Sequence, residues 1–157
     1  MEQQSNSEII IFTDGAARGN PGPGGYGVVL ISGSHRKELS QGFKLTTNNR
    51  MELMAAIVGL EALKVMPCNV TIYTDSKYVA DSVEKRWVFN WVKTDFKGKK
   101  NSDLWKRFLE VHAKHRIKFV WVKGHASIPE NERCDQLAVE ASFRPGLPVD
   151  IGYQPDK

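Results

Sequence analysis

Glu8-Ile9-Ile10-Ile11-Phe12-Thr13-Asp14-Gly15 sets an apolar, β-branched run directly against an aspartate. The run is too short for a buried helix and reads as a strand covered on both faces. A carboxylate at the end of such a strand is costly unless something cationic meets it. The stretch that follows, through Gly19-Asn20-Pro21-Gly22-Pro23-Gly24-Gly25, reads as a turn that sends the chain back into a second strand. An aspartate that merely opens a turn is commonplace, so Asp14 takes its meaning from the rest of the chain.

Beyond the turn, residues 27–31 and 37–43 read as two more strands, joined around Ser32-Gly33-Ser34 as a hairpin on the first. Thr46-Thr47-Asn48-Asn49-Arg50-Met51-Glu52 supplies capping oxygens and then the apolar face of a helix reaching Val65, with Pro67 as its stop. Residues 70–74 form another apolar strand that also ends on an aspartate, Asp75. Helices are expected over 76–83, 103–115 and 131–143, and a last strand over 117–122. This order predicts an α/β fold with a five-stranded mixed sheet, an antiparallel hairpin plus parallel strands added through helical crossovers. A single domain with its core between about residues 8 and 143 is expected, and 144–157, with its prolines and glycines, is expected to lie loosely on the surface.

The 157 residues suffice for one domain with a sizeable core, and 41% hydrophobic with 25% charged content is ordinary for a water-soluble chain. No apolar run approaches the ~20 residues of a membrane span, and the polar N-terminus lacks the pattern of a signal peptide. Cys68 and Cys134 share no repeated spacing and suit reduced thiols. A cytoplasmic monomer is expected. The net charge of +4 is compatible with a polyanionic partner.

In sheets of this kind ligands gather beyond the carboxyl ends of the parallel strands. Asp14 and Asp75 sit at such ends, Glu52 in the first turns of the intervening helix and Asp135 in the first turns of the last one. Each has an ordinary reading alone, as a solvated helix residue or a charge favourable at a helix N-terminus. Together they repel one another unless divalent cations neutralise them. All-oxygen ligands suit Mg²⁺ or Mn²⁺.

Phe-Thr-Asp14-Gly with Gly-Asn-Pro-Gly-Pro-Gly-Gly-Tyr-Gly, Thr-Thr-Asn-Asn-Arg-Met-Glu52-Leu, Thr-Asp75-Ser, Trp-Val-Lys-Gly-His125 and Glu-Asn-Glu-Arg-Cys-Asp135 resemble bacterial ribonuclease HI, the type 1 ribonuclease H family. The match runs from about Ile9 to Phe143 in the family's order. It implies the ribonuclease H-like fold and an endoribonuclease that hydrolyses the RNA strand of RNA–DNA hybrids. It also implies that Asp14, Glu52, Asp75 and Asp135 hold the catalytic metals while His125 assists turnover. In the two-metal scheme, ions roughly 4 Å apart clamp both sides of an in-line displacement, leaving 5′-phosphate and 3′-hydroxyl ends. Asp14 is the natural bridging ligand, with Glu52 and Asp135 mainly on one metal and Asp75 on the other or both. His125 suits a proton-shuttle or product-release role.

Recognition of 2′-hydroxyls across a shallow minor groove points to Asn20, Asn48 and Lys77, and the resemblance adds Asn49. Lys77 stands where relatives often have glutamine. Trp87 and Trp91 are four apart and share a face if helical, and with Lys97, Lys99 and Lys100 they suit the DNA strand. The resemblance implies a phosphate pocket of Thr47, Asn90 and Asn101, with Arg50 in electrostatic support. The segment resembles the basic protrusion of the bacterial enzymes but is shorter than in some of them, and Phe96 stands where the resemblance implies a third tryptophan. Together these point to weaker hybrid affinity.

Overall fold

The computed structural model describes residues 8–123 and 128–155. In chain order these form β1 (Glu8–Ala17), β2 (Gly22–Ser32), β3 (His35–Thr46), α1 (Asn48–Glu61), β4 (Asn69–Thr74), α2 (Lys77–Glu84), α3 (Trp87–Trp91), a short 3₁₀ turn (Val92–Thr94), α4 (Ser102–His112), β5 (Arg116–Trp121) and α5 (Pro129–Ser142). The sheet has the order β3-β2-β1-β4-β5. β1, β2 and β3 pair antiparallel, while β1–β4 and β4–β5 are parallel, each joined through helices. The mixed five-stranded sheet and its hairpin are those expected from the sequence.

β1 lies at the centre because both of its faces are apolar. Ile9 and Ile11 pack with Met51, Leu53 and Ile57 of α1 and with Trp105 and Phe108 of α4. Phe12 turns the other way, to Val29, Cys134 and Leu137, where α5 covers the second face. β4 keeps the same period of two. Val70 and Ile72 are buried with the α1 side, and Tyr73 stacks on Phe12 with ring centroids 5.1 Å apart.

Besides shifts of a few residues, such as α1 ending at Glu61 rather than Val65 and α4 at His112 rather than His115, three differences from the sequence expectation bear on the site. β1 does not end at Asp14 but continues to Ala17, paired with β2 through Ala17↔Gly24. Two of the glycines read as turn residues, Gly15 and Gly25, serve instead as flat sites for helices: a β-carbon on Gly25 would lie 2.5 Å from the Ala138 carbonyl oxygen of α5. Only the parallel pairing with β4 stops early, at Phe12↔Tyr73. Next, α5 starts at Pro129 with Ile128 as its N-cap, so Asn131 lies inside the first turn. Proline at the first helical position, with φ already set, explains the earlier start.

The third difference is the tail. Far from loose, it is bound: Lys44 N–H donates to the Pro148 carbonyl at 2.9 Å, and Asp150 is only 5% exposed. Asp150 accepts from Arg50 Nε and from Thr46 Oγ1, each at 2.7 Å. Arg50, 2% exposed in α1, also makes a two-pronged contact with Asp103 through Nη1 at 2.9 Å and Nη2 at 2.7 Å. A buried guanidinium must be paired, and the residue that meets this one lies a hundred positions away.

Candidate active site

Asp14 and Asp75 each stand two residues beyond the last registered pair of β1 and β4, Phe12↔Tyr73. They are therefore level, Asp14 within β1 and Asp75 just beyond the end of the neighbouring parallel strand β4. Glu52 is brought to them from α1 at a point where helix and strand touch backbone to backbone, Gly15 against the Met51–Glu52 peptide. Carboxylate oxygens of Asp14, Glu52 and Asp75 all lie within 4.8 Å of one another. Asp135 comes from the opposite face. Gly27, which pairs with Asp14, lies directly beneath the Cys134 carbonyl of α5, and Asp135 is the next residue. Asp135 stands outside the tightest group of three but acts on Asp14 by charge and hydrogen bond.

Burial, then the charges of Asp75 and Asp135, push the Asp14 carboxyl up to about 8. Gly15 N–H opposes this, donating to Asp14 Oδ1 at 2.8 Å. Glu52 is raised well above the usual carboxylate range, by burial first and then by Asp14 and Asp75. Glu52 Oε1 and Asp75 Oδ1 are buried with no hydrogen-bond partner. Buried oxygens of that kind are costly unless a cation meets them. A compact all-oxygen donor set with orphaned lone pairs fits a hard divalent cation. His125 lies outside the described residues.

Beside the cluster, Asn20 and Asn48 interlock. Asn48 Oδ1 accepts from Ala17 N–H at 2.6 Å, and Asn48 N–H donates to Asn20 Oδ1 at 2.9 Å. Both amide oxygens are thereby committed, leaving the N–H₂ groups of these exposed residues as donors for a ligand. Thr47 caps α1 by accepting from Arg50 N–H at 3.2 Å, which leaves its hydroxyl hydrogen to donate. Thr47, Asn48, Asn49 and Asn101 line one cavity of about 710 Å³ together with Asn20 and residues of the C-terminal segment. Asn90, exposed on α3, lies outside that lining. Arg50 is in it, but with two carboxylates on its guanidinium it contributes hydrogen-bond geometry rather than net positive charge.

Lys77 opens α2 next to the cluster, its Nζ 5.1 Å from the Trp121 ring centroid, and Trp121 Nε1 donates to the Asp75 carbonyl at 3.1 Å. Trp87 and Trp91 do fall on one short helix, α3, with different surroundings. Trp87 is 43% exposed, while Trp91 packs edge-on against buried Trp105 at 5.9 Å. The Lys85 and Lys99 ammonium groups lie over these two rings at 5.5 and 5.1 Å respectively. Phe96 points into the core and anchors the segment.

The RNase H family model matches residues 6–143. The chain belongs to the ribonuclease H family. Proteins named ribonuclease H from Desulforamulus reducens and Trichodesmium erythraeum are 58% and 54% identical to it, covering 92% and 96% of this chain and 93% and 99% of theirs. Among solved structures, LC9-RNase H1, a type 1 ribonuclease H with the type 2 active-site motif, superposes with a TM-score of 0.79 at 29% identity, over 89% of this chain and 74% of that one. LC11-RNase H1, solved in complex with RNA/DNA hybrid, gives 0.67 at 28% identity, over 85% and 95%. The chain is thus a ribonuclease H enzyme with the fold of that family. Among the described residues no helix is long and apolar enough to cross a membrane.

Two residues that hold this ribonuclease H site together were not singled out from the sequence. Gly15 was read as part of a turn, and Asp150 as part of a loose tail. The one available signal for Asp150 was Arg50 itself, a cation on the apolar face of a helix with no acid at helical spacing to meet it.

Proposed function

We propose that this ribonuclease H hydrolyses the RNA strand of RNA–DNA hybrids with two Mg²⁺ ions, leaving 5′-phosphate and 3′-hydroxyl ends, and works as a cytoplasmic monomer. The observation that carries the reading is the convergence of the Asp14, Glu52 and Asp75 carboxylates within 4.8 Å, two of them with buried, unpartnered oxygens. The hybrid complex of the similar LC11-RNase H1 supports the choice of substrate. Asp14, Glu52, Asp75 and Asp135 would hold the ions, and Mn²⁺ would substitute. Bound there, divalent cations supply the charge that activates a water and steadies a departing oxygen.

The chain's own residues position the rest. Gly15 N–H fixes one oxygen of Asp14. The Asn20 and Asn48 amides, with Asn49 and Lys77 alongside, donate to the 2′-hydroxyls of the RNA strand. Thr47 and Asn101 grip a DNA phosphate, and Trp87 and Trp91 with their lysines stack on and neutralise the DNA strand. To His125, between β5 and α5, we assign proton transfer or product release.

The test is cleavage of a labelled hybrid in Mg²⁺ beside duplex RNA, duplex DNA and single strands, with Asp14→Asn as control. Cutting confined to the RNA of the hybrid, abolished by EDTA and by Asp14→Asn, is expected. Cutting of duplex or branched DNA would identify a different nuclease on this fold, and binding without cutting in either Mg²⁺ or Mn²⁺ would leave only a hybrid-binding module.

A further inference from the structure

The cavity of about 710 Å³ lined by Thr47 and Asn101 is not walled by the sheet and helices alone. Gly152, Tyr153, Gln154 and Pro155 of the C-terminal segment close one side of it. The segment is held by Asp150, which joins the end of β3 at Thr46 to Arg50 of α1. Arg50 Nη1 in turn donates to Asn101 Oδ1 at 3.3 Å, and Asn101 Nδ2 donates to the Tyr78 hydroxyl at 3.1 Å. The Asn101 amide is thereby fixed, with one N–H left toward a ligand. Gly152 rests directly on the Asp103 carboxylate, where a β-carbon would collide with Oδ2.

Building on the hybrid reading above, we propose that the C-terminal segment is part of the nucleic-acid grip: Asp150 positions Thr47 and Asn101 for a backbone phosphate, and Tyr153 and Gln154 form the facing wall. The segment's wall residues carry no charge, and the Arg50 guanidinium beneath them is matched by two carboxylates. Lys99 and Lys100 line the same cavity from the other side, so the segment contributes shape and neutral hydrogen bonds while the lysines contribute the charge. Long-range attraction comes from the lysines around α3, whose removal reduces counterion release.

The experiment uses the full-length chain with Tyr153→Ala and Gly152→Ala, neither of which touches the acid cluster. Steady-state hybrid cleavage is followed as a function of salt, with Lys99→Ala for comparison and melting curves to establish that each variant is folded. KM is expected to rise about fivefold or more with kcat within about twofold of wild type, and Tyr153→Phe is expected to restore KM. The dependence of log KM on log salt should keep its slope in the segment variants and become shallower by roughly one in Lys99→Ala. A folded Tyr153→Ala with wild-type KM would overturn the inference while leaving the hybrid reading standing. So would a fall in kcat at unchanged KM, which would place the effect at the acids. A wild-type chain that neither binds nor cuts the hybrid would sink both.

Discussion

A β-carbon built on Gly15 would lie 2.5 Å from the backbone nitrogen of Glu52, so β1 and α1 meet with no side chain between them beside the acid cluster. That contact sets how far Glu52 stands from Asp14. Gly15→Ala cannot be relieved by a rotamer change, because the opposing atoms are backbone. It should cost about 3 kcal/mol as overpacking and, by moving Glu52 about 1 Å, lower kcat about a hundredfold. Urea unfolding and steady-state cleavage rates check both parts. A folded variant with near-wild-type kcat would show that this contact does not set the position of Glu52.

Asp14→Asn should abolish cleavage yet stabilise the metal-free protein. Burial and mutual repulsion raise the Asp14 and Glu52 carboxyls, so the metal-free wild type must take up protons to fold near pH 7. An amide at position 14 needs none, a relief of about 2 kcal/mol. Mg²⁺ should raise the wild-type Tm, because it binds the folded state, and raise the Asp14→Asn Tm much less. Calorimetry in EDTA and in Mg²⁺ compares the four conditions. A lower Tm for Asp14→Asn in EDTA would mean that the cluster is not a source of strain.

The pH dependence of the metal-free protein has two opposed limbs. Asp14 is raised from 3.8 to about 8, so the folded state holds its proton more tightly. That contribution is fully present below the unfolded value and is lost as pH rises through the folded one. Glu52 acts in the same direction. Asp103 is lowered by Arg50 despite its burial, and Glu38, hydrogen-bonded by Arg133 and Arg36, is held at about 2. Their contributions are present above the ordinary carboxylate range and are lost as pH falls toward the lowered values. The Tm in EDTA should therefore peak at about pH 4, where the two sets balance, and fall on both sides. A steady rise from pH 5 to pH 8 would contradict this.

The residue types of the site were legible in the sequence because the chemistry lies in local patterns. Asp14 and Asp75 close apolar runs, and Glu52 and Asp135 follow helix-entry signals. The topology was legible because alternating strands and helices leave few arrangements. What stayed hidden depends on partners remote in the chain. Gly15 and Gly25 look like turn residues, and Gly27 like any strand residue, until α1 and α5 are laid over them. Asp150 looks like a tail residue until Arg50 needs it. Phe96 looks like exposed aromatic surface, but it is turned inward to the core.

Arg50 ties α1, α4 and the C-terminal segment through Asp103 and Asp150. Arg50→Ala leaves Asp150 buried without its cation and should cost about 3 to 5 kcal/mol. Arg50→Lys keeps the charge but cannot serve both carboxylates with a planar fork, and should cost about 2 kcal/mol. Denaturant midpoints at pH 7 check the order. A lysine variant as stable as wild type would mean that charge alone, without geometry, holds the segment.

The two tryptophans of α3 should separate stability from binding. Trp91 packs against Trp105 in the core, so Trp91→Ala should cost about 3 kcal/mol and weaken hybrid binding together. Trp87 is exposed, with Lys85 over its ring, so Trp87→Ala should leave stability within about 0.5 kcal/mol. If Trp87 stacks on the DNA strand, the same variant should weaken hybrid binding about tenfold, since a lost base or sugar contact of this kind is worth about 1 to 3 kcal/mol. Trp87→Phe should recover most of that loss. Fluorescence anisotropy with a labelled hybrid in Ca²⁺, beside thermal melts, reads both quantities. Unchanged affinity in Trp87→Ala would remove this residue from the interface and leave the DNA strand to Trp91 and the lysines.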